Sequence, residues 1–195
     1  MDKLANILTE FCMNRNKIQE DRREIYCYGF KLIIADIINF SIVLIIGLLL
    51  NRVFDSVLFL ITLCGIRQFS GGFHAKSFWL CRLSMIITFI SVFAISNILA
   101  KAHWNLVGCI LINTLSVITI AILAPVIHPN KILTEIQKQK NKIKSIITSL
   151  IMAVISIVLI LFDIDGGVTI SITLLAVIIL MIVSLIMHKE VNRNV

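Results

Sequence analysis

Hydrophobic residues are gathered into six long runs separated by short polar segments, a pattern typical of a membrane protein with several spans. The runs cover residues 30–50, 53–66, 78–100, 105–127, 145–162 and 168–188. The second run has only 14 residues. As a helix it would measure about 21 Å, against a hydrocarbon core of about 30 Å. We therefore expect it to thin the bilayer, to borrow residues from its flanks, or to re-enter.

The first 14 residues predict an amphipathic helix, because their apolar side chains recur at helical spacing. This apolar face consists of Leu4, Ile7, Leu8, Phe11 and Cys12. We expect the helix to lie in the membrane interface or, as an open alternative, to pack on the bundle. Acids and amides stand where a signal peptide would have its apolar core, so no cleavable signal peptide is expected.

Composition agrees with this organisation. Hydrophobic residues make up 58% of the chain and the mean hydropathy is +0.99. The 195 residues suffice for about six spans and short connections, which leaves no room for a separate soluble catalytic domain. The predicted fold is therefore an all-α, polytopic helical bundle in a single domain, residues 1–195. Residues 1–28 form its cytoplasmic or interfacial segment and residues 29–188 its transmembrane bundle.

The formal net charge of +7 indicates membrane topology more than nucleic-acid binding. The cations flank the apolar runs, as topology determinants and contacts to anionic lipids do. Aromatic interleaving and a phosphate-cradling loop are missing, so no nucleic-acid partner is expected.

Counting cations tests whether the short second run crosses the membrane. With six spans and a cytoplasmic N-terminus, 16 of the 18 lysines and arginines fall inside, and only Arg52 and Lys101 fall outside. If run 53–66 does not cross, the basic segment 131–144 moves outside, and the excess of lysine and arginine on the cytoplasmic side is lost. We therefore predict six spans with both termini cytoplasmic.

The most polar break between runs carries the candidate chemistry. His74 and Cys81 are seven residues apart, and a thiol and an imidazole are the groups that a cysteine nucleophile and its base require. On a straight helix this spacing leaves about 10 Å of axial rise, too far for a hydrogen bond. Gly71 and Gly72 predict a loop before His74 that could bring the ring back to the sulfur. Residues 67–81 are thus the predicted catalytic loop.

Neighbouring residues supply further candidate roles. Arg67, Lys76 and Arg82 surround the pair with positive charge, which favours a thiolate. The amides of Gly71 and Gly72 and the side chain of Gln68 are candidate oxyanion donors.

An acid inside the first run is a further candidate. Asp36 lies in that run and could orient His74 or simply pair with a cation. The chain has no HExxH or CxxC pairing, so no metal and no cofactor are expected. The other cysteines are interpreted as small buried hydrophobes and not as a disulfide framework: Cys12, Cys27, Cys64 and Cys109.

The string Arg67…Gly71-Gly72-Phe73-His74-Ala75-Lys76…Cys81 resembles the accessory gene regulator B (AgrB) family of bacterial quorum-sensing membrane endopeptidases. The resemblance extends over nearly the whole chain, including Ala124-Pro125 and His128-Pro129-Asn130-Lys131. It implies that His74 and Cys81 are catalytic and that Arg67 and Gly72 match positions on which the family also relies.

The resemblance also implies the reaction and the partners. The substrate would be a short AgrD-type precursor peptide, cut between its core and its acidic tail. An acyl-enzyme on Cys81 would then be released by an internal thiol or hydroxyl, which gives a thiolactone or lactone. Homodimers in the bacterial cell membrane are implied as well.

Two other functions remain open on sequence grounds. A transporter or exporter of a peptide, without proteolysis, would use the polar residues inside apolar runs: Asp36, Asn39, Asn97 and Asn113. A non-enzymatic scaffold would use the His–Cys segment to bind lipid head groups. Both predict that Cys81→Ser and His74→Ala leave function intact, whereas an enzyme loses it.

Overall fold

The computed structural model describes residues 2–15, 20–71, 78–101, 106–126 and 134–193. Within these residues every element is helical, apart from one isolated backbone bridge. A 3₁₀ turn at Glu20–Arg22 precedes the second of seven α-helices. They are α1 Asp2–Asn14, α2 Arg23–Leu49, α3 Val53–Ser70, α4 Phe78–Lys101, α5 Leu106–Leu123, α6 Glu135–Leu161 and α7 Gly166–Arg193. Six of them, α2 to α7, include segments long and apolar enough to cross a membrane. The predicted all-α fold with six spans is confirmed.

The chain divides into two compact units, and the first comprises residues 1–46. In it, α1 runs antiparallel to the first turns of α2. The ammonium of Lys31 lies 2.7 Å from the carboxylate of Asp2, and Arg23 lies 3.8 Å from Glu10. The predicted helical N-terminus is confirmed. Most of its apolar face is exposed, and the placement of that face in the membrane interface stays a prediction.

The second unit, residues 47–195, is built around α7. This helix packs against α3, α4, α5 and α6, and half of its apolar window is buried. Its first turns are buried on all sides, and their hydroxyl side chains are hydrogen-bonded within the bundle: Thr169, Ser171 and Thr173. The core around it contains large side chains from three further helices: Phe59, Leu63 and Ile66 of α3, Phe89 of α4 and Ile120 of α5.

The short second run becomes a full helix by borrowing residues. Helix α3 continues past residue 66 through Arg67 and Gln68 to Ser70, so it has 18 residues and a length of about 27 Å. Of the three outcomes expected for run 53–66, the structure shows extension into a flank. Both ends of the predicted catalytic loop 67–81 are helical instead. Residues 67–70 belong to α3 and residues 78–81 belong to α4.

Local sequence explains where several helices begin and end. Asn51 and Asp163 adopt a φ of 55° in the turns after α2 and α6, a conformation in which Asn and Asp are enriched. Thr134 and Gln137 form a reciprocal capping box, in which each side chain accepts a hydrogen bond from the backbone N–H of the other. This cap fixes the start of α6.

The second unit has two ends, which we name after one residue each. The last turns of α4 line a small cavity together with Asp55 in the first turn of α3, so the two helices are antiparallel. Phe59 and Phe89, about midway along them, have ring centroids 5.2 Å apart. The Gly71 end therefore holds the last turn of α3 and the first turn of α4, and also Val126 after α5. The Asp55 end holds the first turn of α3 and the turn between α6 and α7.

Candidate active site

The candidate site begins at the last turn of α3. Arg67 is half-buried there and Gln68 is exposed. Gly71 follows the last helical residue, and its N–H donates a 3.1 Å hydrogen bond to the carbonyl oxygen of Arg67. Its backbone has a φ of 73° and a ψ of −157°, a region that essentially only glycine occupies. An amide that already donates to Arg67 would have to release it before it could bind an oxyanion.

A second segment pairs with the chain where it leaves α3. The N–H of Val126 donates a 2.8 Å hydrogen bond to the carbonyl oxygen of Ser70, and Gly71 and Val126 form an isolated parallel bridge. Ser70 and Val126 are both buried. The end of α3 is thus held to the end of α5 by backbone contacts that do not depend on side-chain identity, except at the glycine.

Cys81 lies in the first turn of α4, and its side chain is half-buried. The guanidinium of the next residue, Arg82, lies 5.3 Å from the centroid of the Trp79 ring, a cation–π contact. A thiol and two arginines, Arg67 and Arg82, are therefore placed at the same end of the second unit. A half-buried thiol is accessible to a substrate and partly shielded from water.

Helix α6 adds further positive charge at this end. The ammonium of Lys144 lies 5.3 Å from the centroid of the Phe69 ring on α3. At the start of α6, the half-buried Lys138 is 2.6 Å from Glu135, while Lys140, Lys142 and Lys144 are exposed. The 27-residue α6 is about 40 Å long, so its first turns extend beyond a 30 Å hydrocarbon core.

The structure places some predicted site residues and does not describe others. Arg67, Gln68, Gly71 and Cys81 share the Gly71 end. Gly72 and His74 lie outside the described residues. Asp36 is exposed on α2 within the first unit, and its relation to His74 stays a prediction.

Two residues at this end were missed by sequence reasoning. Val126 carried no chemical signal, because its contribution is a backbone N–H and the pairing is non-local. Lys144 was recognised as part of a basic segment, but its contact with Phe69 was not. The aromatic residue near the end of α3 was the available signal for such a contact.

A second polar cluster lies at the Asp55 end. The buried carboxylate of Asp55 accepts a 2.9 Å hydrogen bond from Thr169 and lies 3.4 Å from Arg52. Arg52 is also 3.4 Å from Asp165 in the turn before α7. These contacts complete the hydrogen bonding of a carboxylate that would be costly to bury alone. The cluster joins α3 to α7 at the end opposite Cys81.

Comparison with known proteins places the chain among relatives of one kind. The sequence model of the family described as Accessory gene regulator B matches residues 1–188. An AgrB-like protein 2 of Clostridium perfringens strain 13 is 32% identical over 151 residues, which cover 75% of this chain and 71% of that protein.

Two further relatives agree with this match. An AgrB-like protein of C. perfringens strain SM101 is 30% identical over 151 residues, with the same shares of both chains. Protein FsrB of Enterococcus faecalis is 30% identical over 71 residues, which cover 36% of this chain and 29% of that protein. No solved structure matches the chain. With a family match over nearly its whole length, this chain belongs to the accessory gene regulator B family.

Proposed function

We propose that this protein is a membrane cysteine endopeptidase that cleaves the acidic tail from an AgrD-type precursor peptide and closes the remaining core into a thiolactone or lactone. Membership of the AgrB family implies a role in processing such peptides. The observation that carries the finer proposal is the position of Cys81. It is a half-buried thiol in the first turn of α4, at the same end of the second unit as Arg67 and Arg82.

In the first step, the Cys81 sulfur attacks the carbonyl carbon at the junction of core and tail. The peptide C–N bond breaks, and His74 first accepts the thiol proton and then donates it to the leaving amine. The tail leaves with a free amino group, and leader plus core remain bound to Cys81 as a thioester. Gly72 and Gln68 are the candidate donors to the oxyanion formed in this step.

In the second step, a thiol or hydroxyl within the core attacks the thioester carbonyl. His74 takes the proton of this nucleophile, the carbon–sulfur bond to Cys81 breaks, and the Cys81 thiol is regenerated. When the nucleophile is a thiol, one thioester replaces another, so the ring forms without an external energy source. A half-buried site favours this reaction over hydrolysis because it limits the access of water.

The proposal places the Gly71 end on the cytoplasmic side, with both termini inside. The support is charge. The described residues at this end include Arg67, Arg82 and the lysines of α6, whereas the turn between α6 and α7 carries Asp163 and Asp165. Lysine and arginine are enriched in cytoplasmic segments.

The cations at the Gly71 end also suit two anionic partners. The first turns of α6 present Lys138, Lys140, Lys142 and Lys144, which would attract the acidic tail of the precursor. Anionic lipid head groups would bind the same end of the protein. A homodimer, as in relatives of the family, is part of the proposal.

The experiment that tests the proposal is intact mass analysis of the full protein in liposomes with a precursor peptide. We expect an adduct on Cys81 with the mass of leader plus core, together with the free tail. Cys81→Ser and His74→Ala should each abolish the adduct, whereas Cys64→Ser, at another half-buried thiol, should leave it unchanged. Folded protein that forms no adduct and releases no tail would favour a peptide transporter instead.

A further inference from the structure

We infer that Gly71 and Val126 form a backbone clamp that positions the segment bearing the catalytic base relative to Cys81. This inference rests on the proposed function, and it assigns Gly71 a positioning role that depends on its lack of a side chain. The clamp comprises the Gly71–Val126 bridge and the hydrogen bond from Val126 N–H to Ser70 O.

The clamp fixes one end of the connection between α3 and α4. Helix α3 ends at Ser70 and α4 begins at Phe78, so seven residues connect the two helices and Gly71 is the first of them. His74 follows Gly71 by three residues, and an extended chain covers at most about 3.6 Å per residue. Because so few residues separate them, a displacement of Gly71 would also change the positions that His74 can reach. Small errors in the distance between a nucleophile and its base reduce the reaction rate strongly.

Gly71 is required by two independent features of the geometry. Its φ of 73° with a ψ of −157° is closed to residues that have a Cβ. A Cβ built at this position would also overlap the carbonyl oxygen of Val126, which belongs to the backbone and cannot rotate away. Any substitution must therefore separate the two segments. The bridge is specific to glycine, although no side chain takes part in it.

Other glycines of the second unit supply matched controls. A Cβ at Gly65, two turns upstream in α3, would make an ordinary 3.5 Å contact with Thr148. A Cβ at Gly167 would lie 2.6 Å from the carbonyl oxygen of Ser156, at the opposite end of the bundle. Gly65→Ala is thus the neutral control. Gly167→Ala is the control for a steric clash far from the candidate site.

The first measurement tests the clamp without any substrate. In a chain whose five cysteines are replaced by alanine, Ser70→Cys with Val126→Cys should form a disulfide under mild oxidation. Ser70→Cys with Ile122→Cys should not, because Ile122 is 71% exposed, one turn upstream in α5. Failure of the first pair to cross-link, with the protein folded, would overturn the clamp.

The second measurement tests positioning by kinetics of tail release per folded protein. We expect Gly71→Ala to lower kcat at least tenfold with KM changed less than threefold. Val126→Pro, which removes the donor to Ser70 from the other side, should show the same pattern. Gly65→Ala should retain kcat within twofold. A Gly71→Ala rate equal to that of Gly65→Ala, or no lower than that of Gly167→Ala, would overturn the inference.

A third measurement separates this inference from the proposed reaction. Alkylation of Cys81 by iodoacetamide at neutral pH reports on the reactivity of the thiol, which depends on its base and requires no peptide substrate. We expect Gly71→Ala to slow it at least threefold and Gly65→Ala to leave it unchanged, even if no peptide is cleaved by the unmodified protein. Absence of cleavage with this difference intact would reject the proposed function and retain the clamp. Equal alkylation rates in the two variants would reject the clamp.

Discussion

Thr169 of α7 donates a 2.9 Å hydrogen bond to the carboxylate of Asp55 in the first turn of α3. Both residues are nearly inaccessible to solvent, with exposed fractions of 3% and 5%. The bond joins two spans that are 114 residues apart in sequence. It anchors the central helix at the end of the bundle opposite Cys81, so it contributes to the fold and not directly to the proposed chemistry.

Loss of this hydroxyl should destabilise the bundle. We expect Thr169→Val to lower the free energy of unfolding by about 1–2 kcal/mol, because a buried carboxylate then loses one donor. The measurement is unfolding of the solubilised protein by a denaturing detergent, with circular dichroism as the readout. Thr173→Val is the matched control, because Thr173 is equally buried but its hydroxyl donates to Thr169 O in its own helix. Equal losses in the two variants would contradict the role assigned to Asp55.

Hydropathy predicted the six spans because each apolar run is long relative to its connections. It underestimated α3, since Arg67, Gln68 and Ser70 end the apolar pattern without ending the helix. The actual end is set by Gly71, whose φ of 73° is incompatible with continuation. The break between runs 145–162 and 168–188 marked the connection of the last two helices closely, since α6 ends at Leu161 and α7 begins at Gly166.

The candidate site was predictable only in its chemistry. Cys81 and Arg67 have side chains whose types suggest a role, and the structure brings them to one end of the bundle. The partnership of Ser70 with Val126 had no local signal, because a backbone hydrogen bond between distant segments is fixed by the packing of α3 and α5. Asp55 was identifiable as an acid near a span end, but its partner Thr169 is one hydroxyl among many.

The core of the second unit contains a side-chain hydrogen bond whose strength can be measured. Asn113 of α5 donates a 3.1 Å hydrogen bond to Ser156 of α6, and Ser156 in turn contacts Ser171 of α7 at 2.8 Å. We expect a double-mutant cycle with Asn113→Leu and Ser156→Ala to give a coupling energy of about 1 kcal/mol. Unfolding in denaturing detergent measures it.

A neighbouring residue controls for this cycle. Thr114 adjoins Asn113, but its hydroxyl donates to Ile110 O within α5. Thr114→Val combined with Ser156→Ala should therefore show no coupling. A coupling energy near zero for the Asn113 cycle as well would mean that the hydrogen bond makes no net contribution to folding.

The contact between α1 and α2 should be visible in a titration. The hydrogen bond and the charge of Lys31 hold the pKa of Asp2 below its ordinary value of 3.8. Because this pKa is lowered, the contact stabilises docked α1 above pH 3.8 and is lost as the pH falls through the lowered value. Docking should thus be constant from pH 5 to 8. Carboxyl NMR should give a lower pKa for Asp2 in the unmodified protein than in Lys31→Gln, and equal values would show that the ion pair is absent in solution.

Docking of the acidic tail on α6 predicts a difference between two pairs of lysines. Lys140, Lys142 and Lys144 are all exposed, but Lys144 lies over the Phe69 ring and the half-buried Lys138 already contacts Glu135. Neutralising Lys140 and Lys142 to Gln should therefore raise the KM for the precursor by about fivefold, since each exposed ion pair contributes up to about 1 kcal/mol. The same change at Lys138 and Lys144 should raise it less, and added salt should reduce the difference. Steady-state tail release measures KM, and an unchanged KM after neutralising all four lysines would rule out tail docking on α6.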